Sequence, residues 1–513
     1  MKYVIGIDAG TTNVKSVLFD LEGNELYTES VPNLPYYLPN NEIEQDMNVV
    51  WQNVLNSLIL LMRRNKINKD DVIGMGVTGQ GEGIWLIDEY GKPIQNAYLW
   101  NDGRAYKEVE NLLKDENENL YKDIVKTTGL TAFPGNQLIL LMWMNKNQPE
   151  VLEKADKMFF CKDWIRFNLT GEVFTDTTDA GTAHLDLSTN QPAKSIYKKL
   201  GLEKYLRLIP EVKKPHDIGG YLTQKVADNV GLNAGIPVVM GGIDLVNSMV
   251  GMGAVENNDI GIILGTTCGV QVVLEKDKAE FGDSRYENHA IENLTISMNP
   301  TMNGMPNIDW SVGEIAVNKD YKIIDEVIRE VKPGCGGLIY HPYIGAAGER
   351  APFTNVNAKA SFFGINQDTD RASLVKAVYE GMIFAVKDCL LKASDNGEIF
   401  ISGGGAKSTI LPQLIADATG LVVNKSKGYE LGAKGAAIMV LIALGYYKDY
   451  PEAKAKCCEA LDKIYPNKDK KYIYDRYFTL YKKLRLAYND LWNERREILD
   501  DVNKYMTEKG IDK

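Results

Sequence analysis

The sequence predicts an α/β protein built as two similar domains with a ligand cleft between them. Three observations carry this expectation. Segments with strand and helix patterns alternate along most of the 513 residues. A strand–turn–strand unit with a Gly-Thr-Thr tip occurs at Gly10-Thr11-Thr12 and again at Gly265-Thr266-Thr267, close to half a chain length later, as two domains on one plan would give. The composition, 44% apolar and 25% charged, is that of a globular chain rather than a disordered, collagen-like or coiled-coil one. At about 100–200 residues per domain, each domain can bury a full core without disulfide or metal staples.

The elements follow in order. Tyr3–Gly6 is a short strand that stops at Asp8-Ala9-Gly10-Thr11-Thr12, and Val14–Asp20 is its hairpin partner, closed by the Glu22-Gly23-Asn24 turn. Apolar residues at helical spacing put a helix over Val49–Met62. Val72–Val77 and Gly83–Asp88 read as strands, Gln137–Met144 and Trp164–Leu169 as helices, and Pro237–Met240 as a short buried strand. The second hairpin joins Ile260–Leu264 to Gly269–Leu274. Beyond it Ser373–Asp388 is a helix, Glu398–Ser402 a strand and Leu411–Thr419 another helix. Tyr474, Tyr477, Phe478, Tyr481, Leu484, Tyr488 and Leu491 recur at three and four residues, the mark of a helix packing one face on a core.

Charge and composition exclude several function classes. With 58 Lys+Arg against 69 Asp+Glu the net charge is −11, which argues against broad nucleic-acid binding; a nucleotide arriving with its own Mg²⁺ is not excluded, because that binding is local. The six cysteines (Cys161, Cys268, Cys335, Cys389, Cys457, Cys458) form no CxxC pair and read as reduced, idle thiols. The four histidines show no zinc-ligand spacing. The N-terminus lacks the order of a signal peptide, and the longest near-apolar run, Ala436 to Tyr447, is too short to span a bilayer. The expected location is the cytoplasm, with no membrane partner.

Glycine-rich turns after strands are natural phosphate sites, because successive N–H groups and Thr hydroxyls point at the anion. Asp8–Thr12 and Gly265–Thr267 qualify, and Ser402-Gly403-Gly404-Gly405-Ala406 is a third. Two nucleotide motifs fail. Gly74-Met75-Gly76-Val77-Thr78-Gly79 fits GxGxxG but leads into a strand rather than a helix, and Gly405-Ala406-Lys407-Ser408 has alanine where a P-loop needs glycine. Asp244, in Gly241-Gly242-Ile243-Asp244 past a short strand, is either a turn aspartate or a general base at the mouth of the cleft. Gln80, Glu82, Asn101 and Asp102, in loops after strands, are suited to polyol hydroxyls. Trp85 and Trp100 are expected in the core. Cys268, directly after the second turn, has a second reading beside the idle thiol: open to alkylation near the nucleotide.

Together these residues resemble the FGGY carbohydrate kinases, within the actin/hexokinase/heat-shock-chaperone ATPase fold, over most of the chain. GIDAGTTNVKSVLFD resembles the family's first phosphate loop, WNDGR its sugar-contacting segment, and GGIDLVNSMVGMG the segment with the catalytic aspartate. ILGTTCGV resembles the second phosphate loop, SFFGINQDTDRASLVKAVYEGMIF the C-terminal signature, and ISGGGAKS…LPQLIADATG the adenosine segment. The resemblance implies two duplicated RNase H-like domains: 1–248 with the sugar site and first phosphate loop, and 249–513 with the nucleotide site and C-terminal helices.

The resemblance also implies roles. ATP and Mg²⁺ are the cofactors. Asp8 holds the Mg²⁺–phosphate assembly through water. Thr11, Thr12, Thr266 and Thr267, with Gly265, bind phosphoryl oxygens. Asp244 is the base. Gly403, Gly404 and Gly405 let adenosine lie against the backbone, with Gln413 nearby. Gln80, Glu82, Asn101 and Asp102 line the acceptor site, and domain closure limits wasteful ATP hydrolysis. Two departures stand out: Glu82 replaces the histidine typical of xylulose kinases, and Leu411 stands where many members have tryptophan. VTGQGEGIWLID, IEQDM and FFCKDWIRFNLTGE look most like erythritol kinases and their L-xylulose kinase relatives. The implied reaction is phosphorylation of a primary hydroxyl of a small, erythritol-like polyol. A pentulose (D-xylulose, L-xylulose or D-ribulose) is the alternative, and an actin- or chaperone-like ATPase without a sugar substrate is the alternative of another class. A homodimer is among the expected states.

Overall fold

The computed structural model describes residues 1–280, 285–390 and 396–511. They fall into two compact units. The first comprises Met1–Asn257, Val273–Ser297 and Lys427–Glu459; the second comprises Asn258–Val272, Met298–Ser426 and Ala460–Lys513. A cut at 248/249 would assign 273–297 and 427–459 to the second half. Both segments lie with the first unit because helix Leu431–Ala443 covers its sheet and Arg285 reaches Glu82 there.

The first unit is organised on a six-stranded sheet in the order Ile218–Tyr221, Pro237–Val239, Val72–Gly79, Tyr3–Ala9, Asn13–Phe19, Glu25–Pro32. Tyr3–Ala9 runs antiparallel to Asn13–Phe19 and parallel to Val72–Gly79, so Asp8 lies between Lys15 and Thr78. Strand alternation sends Ile5 and Ile7 into a core with Val50, Val54, Leu58 and Leu61 of helix Met47–Arg64, whose N-terminus Asp46 caps by accepting from the Asn48 and Val49 N–H groups. Helix Leu431–Ala443 takes the other face. Cβ atoms on Gly6 and Gly76 would sit 2.1 and 2.5 Å from the Ala433 and Ala436 carbonyls, so only glycine permits that approach.

The second unit repeats the plan. Ala460–Ile464, Val423–Ser426, Ile399–Ser402, Ile260–Leu264 and Cys268–Glu275 follow one another in its sheet. As in the first unit, an antiparallel edge pair leads into parallel strands, and the antiparallel hairpin partner follows. The half-length repeat in the sequence is therefore a repeat of topology.

Several elements differ from expectation. The first strand continues to Ala9, so Asp8 is a strand residue rather than part of the turn; pairing on both edges extends it. The aromatic stripe lies on helix Lys468–Lys509, with Tyr474 and Tyr481 buried, but Leu491 is exposed and Trp492 buried in its place. Trp492 meets Tyr343 edge-on at 5.3 Å and stacks on Phe353 at 6.0 Å, which a leucine could not do. Trp85 is core, whereas Trp100 is 42% exposed, its indole N–H held outward by Thr11. All six cysteines are free. Cys268 is buried, and burial pushes its thiol up to about 12, so the reading as open to alkylation is corrected to an inert thiol. No helix among the described residues is long and apolar enough to cross a membrane.

Candidate active site

In the first unit the Gly-Thr-Thr turn rests on a polar floor. The Gln80 amide accepts from the Thr11 hydroxyl (2.9 Å) and donates to Gln45 (2.7 Å). Gln45 in turn donates to the Thr11 and Asn33 carbonyls, and Asn33 donates to the Gly10 carbonyl. The Thr11 hydroxyl proton is thus committed to Gln80, while exposed Thr12 accepts from Asn13 and keeps its own proton. Asn33 carries no motif, and the supporting contacts of Gln45 and Trp100, which lie within the IEQDM and WNDGR segments, were not anticipated.

Asp8 is half-buried beside this turn, with no protein donor to its carboxylate among the described residues. Burial raises it to about 6, Lys15 opposing and Glu430 reinforcing. A Cβ on Gly432 would lie 2.9 Å from Asp8 Oδ2, so a glycine leaves that oxygen its space. Among the described residues no group of three or more His, Cys, Asp or Glu side chains could hold a metal by itself. One open carboxylate suits a hydrated cation carried in on phosphates.

Asp244 opens helix Asp244–Met252. Its loop is tied to the end of strand Val72–Gly79: Thr78 donates to the Gly242 carbonyl at 2.7 Å, and Gly79 bridges Ile243. Gly241 has φ +70°, and a Cβ there would sit 1.7 Å from the Val77 carbonyl. Gly241→Ala is expected to lower stability by about 2–4 kcal/mol through this clash and the left-handed backbone, read from the denaturation midpoint. One Asp244 oxygen accepts from the Leu245 N–H at 2.7 Å; the other has no protein donor among the described residues. Burial lifts the carboxyl to about 7, with Asp8 as the next contributor.

Glu82 is buried and left-handed at φ +59°, a conformation that non-glycine residues adopt at a cost. Asn136 (2.7 Å) and Thr182 (3.2 Å) donate to one oxygen, and Arg285 meets the other at 2.5 Å. Burial raises this carboxyl to about 7, Arg285 opposing. Asn101 Oδ1 is buried without a protein partner among the described residues. Asp102 is held within its own loop: its oxygens accept from the Ile43 N–H (2.6 Å) and from Arg104 N–H and Nε (2.8 and 2.9 Å), which shapes that loop.

The second unit holds the other glycine turns. Gly265–Thr267 is closed by the Gly265 N–H to the Thr267 carbonyl and by the Met305 N–H to the Gly265 carbonyl. Thr266 and Thr267 are exposed, their hydroxyls free of protein partners among the described residues. Gly403 has φ +87°, and a Cβ there would lie 2.5 Å from the Leu264 carbonyl, so this third turn presses on the end of strand Ile260–Leu264. Asp325, unsignalled in the sequence, accepts from Ser408 and from the Thr409 N–H and hydroxyl, anchoring the segment after the glycines. Gln413 spends both amide protons on Asp417 and the Tyr465 carbonyl, leaving its oxygen as an acceptor.

Comparison with known proteins decides the family. The N-terminal domain of the FGGY family of carbohydrate kinases matches residues 3–251, and its C-terminal domain matches residues 261–444. The chain belongs to the FGGY family of carbohydrate kinases. An erythritol kinase from Brucella abortus (strain 2308) is 29% identical over 96% of this chain and 97% of its own. A xylulose kinase from Staphylococcus xylosus is 27% identical over 94% and 99%. Among solved structures, a ligand-bound xylulose kinase from Lactobacillus acidophilus superposes with a TM-score of 0.87 at 24% identity, covering 96% of this chain and all of that one. The FGGY chain is thus an enzyme, a carbohydrate kinase acting on a sugar or polyol with ATP as phosphate donor, not an ATPase of the actin or chaperone type.

Proposed function

We propose that this kinase phosphorylates a terminal primary hydroxyl of a small polyol such as erythritol, with Asp244 as the general base. The state of Asp244 carries the reading: one oxygen is fixed by a backbone N–H, the other is open, and its proton affinity lies near neutrality. Such a carboxylate accepts a proton from an attacking hydroxyl at physiological pH. Glu82 accepts hydrogen bonds from the polyol, with the free oxygen of Asn101 as a second acceptor, while Gln80 and Asp102 hold the surrounding loops. The first unit carries this acceptor site and the first phosphate turn.

Phosphate groups are assigned to the N–H groups of both Gly-Thr-Thr turns and to the hydroxyls of Thr12, Thr266 and Thr267. Thr11 contributes its backbone, its hydroxyl proton being held by Gln80. Asp8 orients the water shell of Mg²⁺, whose charge offsets that of the phosphates. In the second unit, Gly403–Gly405 let adenosine approach and the Gln413 oxygen faces a donor; Leu411, where relatives carry tryptophan, is buried and leaves adenine packing to these groups.

A pentulose is the second reading, favoured by relatives that are xylulose kinases. A coupled ADP assay over erythritol, xylitol, glycerol, D-ribulose, D-xylulose and L-xylulose separates the two. Erythritol or another polyol is expected to give the highest kcat/KM. A tenfold preference for a pentulose would transfer the assignment, and no activity on any of the six would end both.

A further inference from the structure

One cation in the acceptor region belongs to none of the sequence motifs. Arg285 opens strand Arg285–Asn288, 203 residues from Glu82 in the chain but within the same compact unit. Its Nη2 meets Glu82 Oε1 at 2.5 Å and Glu287 Oε1 at 2.6 Å. The guanidinium lies 5.1 Å from the centre of the Phe133 ring, within cation–π range. Glu287 is almost wholly buried, and its second oxygen has no protein partner among the described residues. Two glutamates thus share one arginine, and Asp244 lies within the field of Glu287 and Arg285.

That arrangement has two physical consequences. First, a compensating charge favours the ionised form of a buried carboxylate, in which both oxygens accept hydrogen bonds. Arg285 supplies that charge to Glu82, whose other oxygen has only the neutral donors Asn136 and Thr182 among the described residues. Second, with both glutamates ionised the trio carries one net negative charge before Asp244 is counted. An acceptor bearing a carboxylate would enter against like charge, whereas a neutral polyol or ketose meets only hydrogen-bond acceptors.

We propose that Arg285 is a specificity-determining residue that holds Glu82 as an ionised acceptor for substrate hydroxyls, and that the Glu82–Arg285–Glu287 trio restricts the enzyme to uncharged acceptors. This rests on the reading that Glu82 contacts the acceptor. The guanidinium takes no part in the chemical step, so its loss acts on KM rather than on kcat.

The test is steady-state kinetics of the full chain and of Glu82→Gln, Arg285→Gln, Arg285→Lys and Glu287→Gln, with the six neutral acceptors above and D-gluconate as the anionic probe. The wild type is expected to favour its best neutral acceptor over gluconate by at least about 100-fold in kcat/KM. Arg285→Gln should raise KM for the neutral acceptor about 10–100-fold with kcat within about threefold. Arg285→Lys, which keeps the charge and loses the fork, should recover part of that loss. Glu287→Gln should narrow discrimination against gluconate about tenfold. If Glu82→Gln raises KM but Arg285→Gln leaves it within twofold, or lowers kcat alone, the role of Arg285 is refuted while the acceptor-site reading stands. If Glu82→Gln itself leaves KM unchanged, that reading falls and this inference with it. Efficient phosphorylation of gluconate by the wild type would refute the restriction to uncharged acceptors.

Discussion

Asp244→Asn is expected to cut turnover by about 10²–10⁴-fold, the range for losing a positioned general base, with a much smaller change in KM for the alcohol. The amide keeps the shape and the bond from the Leu245 N–H but cannot accept a proton. The pH profile adds a second readout. Burial, with Asp8 next, raises the carboxyl to about 7, and the base works only when ionised. Wild-type kcat at saturating acceptor should therefore fall as pH drops through about 7, and the residual kcat of the variant should lack that limb. Stability moves the other way. A carboxyl raised in the folded chain holds its proton more tightly than in the unfolded chain, so its cost is absent below about pH 4, grows as pH rises and is complete above about 7. Asp244→Asn should thus stabilise the protein above pH 7 by on the order of 1–3 kcal/mol, a gain that vanishes in acid. A variant with wild-type turnover would remove the assignment of Asp244.

Lys162→Met is expected to cost about 3–5 kcal/mol of stability, because it strands buried carboxylates. Lys162 is fully buried and meets Asp163 at 2.7 Å, Asp176 at 2.8 Å and Asp179 at 3.1 Å. Neither Asp179 oxygen has a hydrogen bond beyond this ion pair among the described residues, and burial pushes its carboxyl well above the ordinary range despite the lysine. The cluster also reaches the candidate base. Asp176 accepts from the Thr178 N–H and hydroxyl at 2.7 Å each, and the Thr178 oxygen accepts from the Ile243 N–H at 3.0 Å, next to Asp244. Lys162→Met should therefore lower kcat beyond what unfolding explains. Urea unfolding and activity of the remaining folded fraction check both parts, and an unchanged midpoint would show that the three aspartates do not depend on the lysine.

Much of the architecture was legible along the chain because it is local. Alternating and helical apolar spacings report which face of each element is buried, and helix Leu411–Thr419 has the bounds its pattern implied. The two hairpins were legible because glycine and threonine at a strand end have few other uses, and both sheets carry them in equivalent positions. Asp8, Glu82 and Asp244 were found because each sits beside such a turn or breaks an apolar pattern.

The remainder depended on contacts between residues far apart in sequence. Asp102 reads as an acceptor contact, yet Ile43 and Arg104 hold it within its own loop. Trp100 reads as core until Thr11 is seen to hold it outward, and Cys268 keeps a reactive reading until it is buried. Arg285 shows no local signal, because its meaning lies in charges 203 residues away. The sequence by itself determined the duplicated α/β plan, the family chemistry and the residue types at the turns, all properties of short segments. Only the tertiary structure decided which carboxylates are neutralised, which are left open and which proton each holds, because those states depend on burial and on partners that folding alone brings together.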